Sequence, residues 1–238
     1  MKHYGYHVEN DIFWSGISGR WEKHSLDIWM RLCKPACVIF DIGANTGIYS
    51  LVAKSLNKDA DVYAFEPVKR VFEKLEMNTR LNNYDIHCIE KAVSNHTGTA
   101  LIYDTGSKHE YAATLDRQHR NTGLNSSFTI ETITLDDFIS QRGLKKIDLM
   151  KIDVESHEPA VLQGFNEGIK HFKPSILIEI LSDEVGKTIY ETVKDLDYLY
   201  FAINEETGVR RTDSIIRGEN FNYLLCNKAT AEFLKLNS

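Results

Sequence analysis

Proline and cysteine are scarce in this chain, with four of each in 238 residues. Cys33 and Cys37 flank "KPA", a spacing that suits neither a zinc knuckle nor a redox pair, and no C-x-x-C occurs. Reduced, structural thiols are expected. Long apolar runs are also missing. None approaches the roughly 20 residues that span a bilayer, so no membrane span is expected. The start, "MKHYGYHVENDIFW", has no apolar signal core, which predicts a cytoplasmic protein. Positive charge is in deficit, with Lys+Arg 28 against Asp+Glu 34 and a formal charge of −6. A mildly acidic chain is a poor default partner for nucleic acid or anionic lipid. Repeats, low-complexity tracts and flexible linkers are absent. What is present is 42% hydrophobic residues, enough for one sizeable core.

After residue 37, apolar runs alternate with helical periods. Strands are predicted at 37–42, 61–66, 86–90, 147–153 and 175–181. Ile48, Leu51, Val52 and Leu56 share one helical face, as do Val68, Val71, Phe72 and Leu75 behind Pro67. A third helix is expected with Ser156 as cap and Val161, Leu162, Phe165 and Ile169 inward, ended by Pro174. A fourth aligns Val185, Ile189, Val193 and Leu196. Such alternation builds an α/β fold around a parallel sheet. Residues 98–134 interrupt it with two strands, "GTALIYD" and "FTIETITL", read as an inserted β-hairpin joined by a long polar loop. "YLYFAIN" and "NFNYLLCN" read as an antiparallel pair at the sheet edge. Residues 1–36, with Tyr4, Tyr6, Phe13, Trp14, Trp21 and Trp29, form an N-terminal extension that caps the sheet, and 37–238 form the domain.

The segment "VIFDIGANTGIYS" puts a glycine turn between a strand and a helix, where backbone N–H groups can face a ligand. Dinucleotide loops read G-x-G-x-x-G, with a bare middle glycine for the pyrophosphate. Here Asn45 occupies that place and Gly47 comes one residue early, so a ligand without phosphate fits better. Glu66 ends the second strand in "VYAFEP", where an acid can accept ribose hydroxyls. Asp41 ends the first strand, where it can meet an ammonium. S-adenosylmethionine offers an ammonium, a ribose and an adenine, and no phosphate. For Glu66 the plainer account is a solvated charge before a helix N-terminus.

With "VYAFEPVKRVFEKLEMNTRLNN", "KAVSNHTGTALIY", "TITLDDFI", "IDLMKIDVESHEPAVLQGF" and "PSILIEI" following in order, residues 37–181 resemble the FkbM family of S-adenosylmethionine-dependent methyltransferases. The resemblance implies a Rossmann-like seven-stranded methyltransferase sheet with its last strand antiparallel. It also implies O-methyl transfer, typically to a sugar, glycan or polyketide hydroxyl. The family pattern makes Asp41, Gly43, Asn45 and Gly47 the cofactor loop and Glu66 the ribose ligand. It sets Ala92 and Val93 beside the adenine, with Asp153 and Glu155 toward the reacting methyl. Ser156 departs from the pattern, which has glycine there. Because serine enters positive φ at a cost, a differently shaped turn is expected.

Methyl transfer to an alcohol needs in-line alignment and proton removal. Asp153, Glu155, His157 and Glu158 are the candidate groups. Asp153 and Glu155, two apart, would share one side of the strand. They can tune each other's ionisation or hold a divalent cation; a site without metal is expected, since the block lacks a clear third oxygen ligand. His157 titrates near neutrality, or simply faces water. Glu179 lines the acceptor pocket or pairs with a neighbour. Lys108, His109, Arg117, His119 and Arg120 form a basic cluster in loop 104–126, which would suit an anionic acceptor or be a solvated loop. The expected partner is a small molecule or glycan. A nucleic-acid methyltransferase is a rival reading, but "DVES" stands where base-methylating enzymes carry an Asn/Asp-Pro-Pro-Tyr-like turn. A non-catalytic module that binds the cofactor is another.

Overall fold

The computed structural model describes residues 14, 16, 19, 21–104, 113–114 and 126–236. Tyr4, Tyr6, Phe13 and the basic cluster of loop 104–126 lie outside the described residues. Strands β1 (Val38–Ile42), β2 (Asp61–Phe65), β3 (Ile86–Ile89), β8 (Leu149–Ile152) and β9 (Ser175–Glu179) run parallel in one sheet. Strands β10 (Leu199–Asn204), β11 (Gly208–Thr212) and β12 (Asn222–Cys226) complete it, in the order β11-β10-β12-β9-β8-β1-β2-β3. As expected, β12, the last strand in the chain, is antiparallel to both neighbours.

Eight strands replace the expected seven. "GVRRT" folds back on β10 as the outermost strand β11, with Arg210 and Arg211 both exposed. Two adjacent arginines hide the strand signal, because a solvated edge needs no apolar alternation. The inserted hairpin is present: β5 (Gly98–Asp104) and β7 (Ser126–Ile133) pair antiparallel. They make a second small sheet with β4 (Ala92–Val93) and β6 (Ala113–Thr114).

Helices cover both faces of the main sheet, which is why β1 is buried along its whole length. On one side lie α1 (Lys23–Cys33), α2 (Ile48–Leu56), α3 (Lys69–Leu81) and α8 (Lys228–Leu234). They bring Trp29, Leu51, Leu75 and Leu234 onto Ile39, Val62 and Leu224. On the other lie α4 (Leu135–Arg142), α5 (Glu158–Gln163), α6 (Asn166–Phe172) and α7 (Asp183–Val193). Their Phe138, Leu162, Ile169 and Ile189 meet Phe40, Phe65 and Ile178. Phe65 and Phe138 sit edge to face with centroids 5.0 Å apart.

The third predicted helix is two. It breaks at Gly164, where a Cβ would come within 2.0 Å of the Ser94 carbonyl oxygen, and resumes as α6. Ser156 is not its cap. Ser156 has φ 74°, and His157 precedes α5 with no side-chain cap. The turn thus adopts the left-handed form that glycine would take, against the expectation from Ser156.

Helix α1 starts after Glu22, which does not cap it. Glu205, in the turn after β10, does so from outside: its carboxylate accepts from the His24 N–H at 2.6 Å and the Ser25 N–H at 3.2 Å. A carboxylate at a helix N-terminus meets both the open donors and the dipole. Glu205→Ala is expected to lower stability by about 1–2 kcal/mol. A urea unfolding midpoint equal to that of the parent protein would remove Glu205 from this role.

Candidate active site

The residues of the glycine turn are set by what the ends of β1, β2 and β8 demand. Gly43 has φ 81°, and a Cβ there would lie 1.8 Å from the Asp153 carbonyl oxygen. Its N–H and that of Ala44 both donate to the Phe65 carbonyl, at 3.0 and 2.9 Å. The turn after β1 is thereby fixed to β2 and pressed on β8. Asn45 adopts φ 53°, a conformation asparagine tolerates, and its Oδ1 accepts from the Thr46 N–H at 2.8 Å. This aims the Asn45 N–H at Glu66 Oε2, 3.1 Å away. Gly47 caps α2 at φ 96°, where a Cβ would strike Leu75 at 2.6 Å. It supports the turn from behind and is not part of the cleft wall.

Glu66 is buried, and its Oε1 accepts from the Val68 N–H at 2.9 Å. Each carboxylate oxygen so engaged keeps a lone pair for a further donor. Burial pushes its carboxyl up to about 7, while the two backbone donors pull the other way. Asp41 is also buried. Its Oδ2 accepts from Ser50 Oγ at 2.6 Å, and burial raises its carboxyl above the usual range.

One cleft of about 270 Å³ brings these groups together. Asp41, Gly43, Asn45, Glu66, Ala92 and Val93 line it, as do Asp153, Glu155, His157 and Glu179. Asp153 and Glu155 do not share a side of a strand, because β8 stops at Ile152 and Glu155 sits at φ 54° in the turn beyond. The two-residue period instead joins Asp153 to Lys151, whose Nζ donates to Asp153 Oδ2 at 2.6 Å. His157 does not simply face water. Its Nε2 lies 3.0 Å from Ser94 Oγ.

Sequence reasoning missed Lys151. Its side chain is 4% exposed and its ammonium stands 4.4 Å from the centroid of the Tyr49 ring. Burial works against that charge, but Asp153, Glu22 and Asp41 outweigh it and hold the ammonium above the usual lysine range. A signal existed: Lys151 is the one charge in the buried strand "LMKI", and a buried charge demands a partner. Glu22 left no such trace. It enters from the N-terminal segment, accepts the Tyr49 hydroxyl and is pushed up by burial. Trp21 lines the cleft with it, edge-on to Tyr49. Among the described residues, no group of three or more His, Cys, Asp or Glu is placed to hold a metal ion. Nor is any described helix long and apolar enough to cross a membrane.

A glycine turn opening on a cleft at the carboxyl edge of a mainly parallel sheet, with an acid at the end of the next strand, defines the nucleotide-cofactor class of α/β proteins. Residues 41–209 match the methyltransferase FkbM domain, and the chain belongs to that family. It is 30% identical over 159 residues to 31-O-demethyl-FK506 methyltransferase FkbM of Streptomyces tacrolimicus, covering 56% of this chain and 61% of that one. Hexuronic acid methyltransferase AglP of Haloferax volcanii is 24% identical over 161 residues, covering 68% of this chain and 63% of its own. The chain therefore spans less than two thirds of the length of either relative. The crystal structure of methyltransferase FkbM from Methylobacillus flagellatus has TM-score 0.51 and 16% identity, covering 79% of this chain and 42% of that one. That likeness is one of fold.

The family's cofactor is S-adenosylmethionine, and the donor set suits it. The turn 43–47 holds no lysine or arginine to grip phosphate, and carboxylates outnumber cations in the cleft wall.

Glu158 anchors the turn beneath the cleft. It is fully buried, Oε1 accepts from the Val154 N–H at 3.0 Å, and burial pushes its carboxyl from 4.5 up to about 7. The folded state holds this proton more tightly than the unfolded chain. Its stabilising effect is therefore complete below about pH 4.5 and is lost as pH rises through about 7. Glu158→Gln keeps the Val154 acceptor and cannot ionise. Its stability relative to the parent protein should rise between about pH 5 and about pH 8, by an amount on the order of 2 kcal/mol. Thermal melts at the two pH values check this; a difference that does not change with pH counts against the assignment.

Proposed function

We propose that the protein transfers the methyl group of S-adenosylmethionine to a hydroxyl of a sugar, nucleotide sugar, glycan or related small molecule. The observation that supports this most is that the glycine turn, Glu66 and Asp153 open on one cleft. Asp41 and the backbone of Gly43 and Asn45 take the methionine end of the cofactor. Glu66 accepts the ribose hydroxyls, and Ala92 and Val93 flank the adenine. The sulfonium brings its own leaving group, so the chain's task is alignment and proton removal. Asp153 is the first choice for the proton, because it directly follows a rigid strand and its backbone N–H is tied to the Ile42 carbonyl. His157 and Glu155 stand beside it in the same wall. The relatives' names point the same way for the acceptor: one acts on the oxygen at position 31 of a demethylated FK506, the other on a hexuronic acid.

The test is turnover with S-adenosylmethionine and a panel of neutral sugars, hexuronic acids, nucleotide sugars and glycan fragments, read as S-adenosylhomocysteine release. Release that survives EDTA is expected for at least one hydroxyl acceptor. Release with RNA alone would overturn the acceptor class, and loss of activity in EDTA restored by magnesium would overturn the metal-free chemistry.

Two variants divide the roles. Glu66→Ala should weaken cofactor binding by about 1–3 kcal/mol in calorimetry. Asp153→Asn should lower kcat by roughly 10²–10⁴-fold when measured at saturating cofactor. If Asp153→Asn keeps its kcat, the base is another residue of the same wall.

A further inference from the structure

The cleft wall carries more acidic than basic side chains. Lys151 is a lining cation, and four carboxylates act on it: Glu22 before α1, Asp41 on β1, Asp153 after β8 and Glu179 at the end of β9. Asp153 takes the ion pair. The Tyr49 hydroxyl answers Glu22, and Ser50 answers Asp41. Glu155 and Glu158 add to the negative field at Glu179. Lys91, the other lining lysine, is held outward by Glu131 at 2.7 Å, and His157 is engaged by Ser94. One ammonium therefore stands among several enclosed carboxylates.

Enclosed carboxylates in excess of cations are costly to ionise. Burial accordingly raises the carboxyls of Glu22, Asp41 and Glu179 above the usual range, so that they give up protons less readily. Burial, with Asp153 and Glu155 adding to it, pushes Glu179 up to about 10, and Lys151 only partly offsets this. The cofactor and its product differ at one charge. The sulfur is a sulfonium before transfer and a neutral thioether after it, while both molecules carry the same ammonium and carboxylate.

We propose that this surplus of carboxylates reads the charge on the cofactor's sulfur, so that the cleft holds S-adenosylmethionine more tightly than S-adenosylhomocysteine. The inference rests on the cofactor assignment and is independent of the acceptor. A sulfonium displaces protons from the carboxylates as it enters, and a thioether displaces fewer. The preference therefore strengthens as pH rises, and the product leaves a cleft that no longer matches it.

Calorimetry with S-adenosylmethionine, S-adenosylhomocysteine and sinefungin, whose amine places a positive charge where the sulfonium stands, tests this without any acceptor. At about pH 8.5 the cofactor should bind at least ~10-fold more tightly than the product, a modest share of what one unit charge beside a carboxylate can produce. The ratio should shrink as the pH is lowered toward about 6.5, where Glu179, pushed up by burial, holds its proton more firmly against the incoming charge. Sinefungin should follow the cofactor. Glu179→Gln should lower the ratio and Lys151→Met should raise it. Damage to the fold would weaken both ligands alike and leave the ratio unchanged. A ratio of one or less at about pH 8.5, or one that Glu179→Gln does not move, overturns the proposal. Binding of neither ligand would overturn the cofactor assignment, and the proposal with it.

Discussion

The ends of β1 and β8 meet with no room for a side chain, and the rest of the site depends on that contact. Gly43 lies against the Asp153 carbonyl, and the Asp153 N–H donates back to the Ile42 carbonyl at 3.0 Å. A methyl group at Gly43 would wedge the strands apart at the point where the glycine turn and the Asp153 turn open on the cleft. The same contact sets Asp41 directly beside Lys151 in the parallel register. Glycine turn, acid and lysine are thus placed by one local packing demand. That demand is met by a residue with no side chain and a backbone at φ 81°.

The parallel core was legible because its strands are short apolar runs bounded by turn residues, as in "VIFDI" and "SILIE". Burial on both faces leaves such a signal. The inserted hairpin was legible from β-branched alternation in "FTIETI". Strand β11 was not, since Arg210 and Arg211 serve solvent. The break between α5 and α6 was also hidden. Gly164 reads as an ordinary helix glycine, and only the fold shows the Ser94 carbonyl against it.

The cleft followed the same division. Residues named from the glycine turn and the strand ends, Gly47 apart, converge, because strand ends at one sheet edge must be neighbours. Glu22 reaches the site from the N-terminal segment through the Tyr49 hydroxyl, a contact between positions 27 apart that no local pattern encodes. Lys151 could have been found by asking what a lysine inside "LMKI" pairs with. Asp153 and Glu155 would share a side only if β8 ran on, but the chain turns after Ile152, so the partner lies two residues before Asp153 and not two after.

Arg210 and Arg211 have a consequence at the scale of many molecules. An outermost strand offers unpaired backbone groups to any other strand that comes alongside. Here a second copy approaching edge to edge would set two arginines against two arginines, with no carboxylate in "GVRRT" to soften the meeting. The repulsion discourages sheets from joining into fibrils as the protein is concentrated. The sheet edge that closes the fold therefore also helps to keep copies apart.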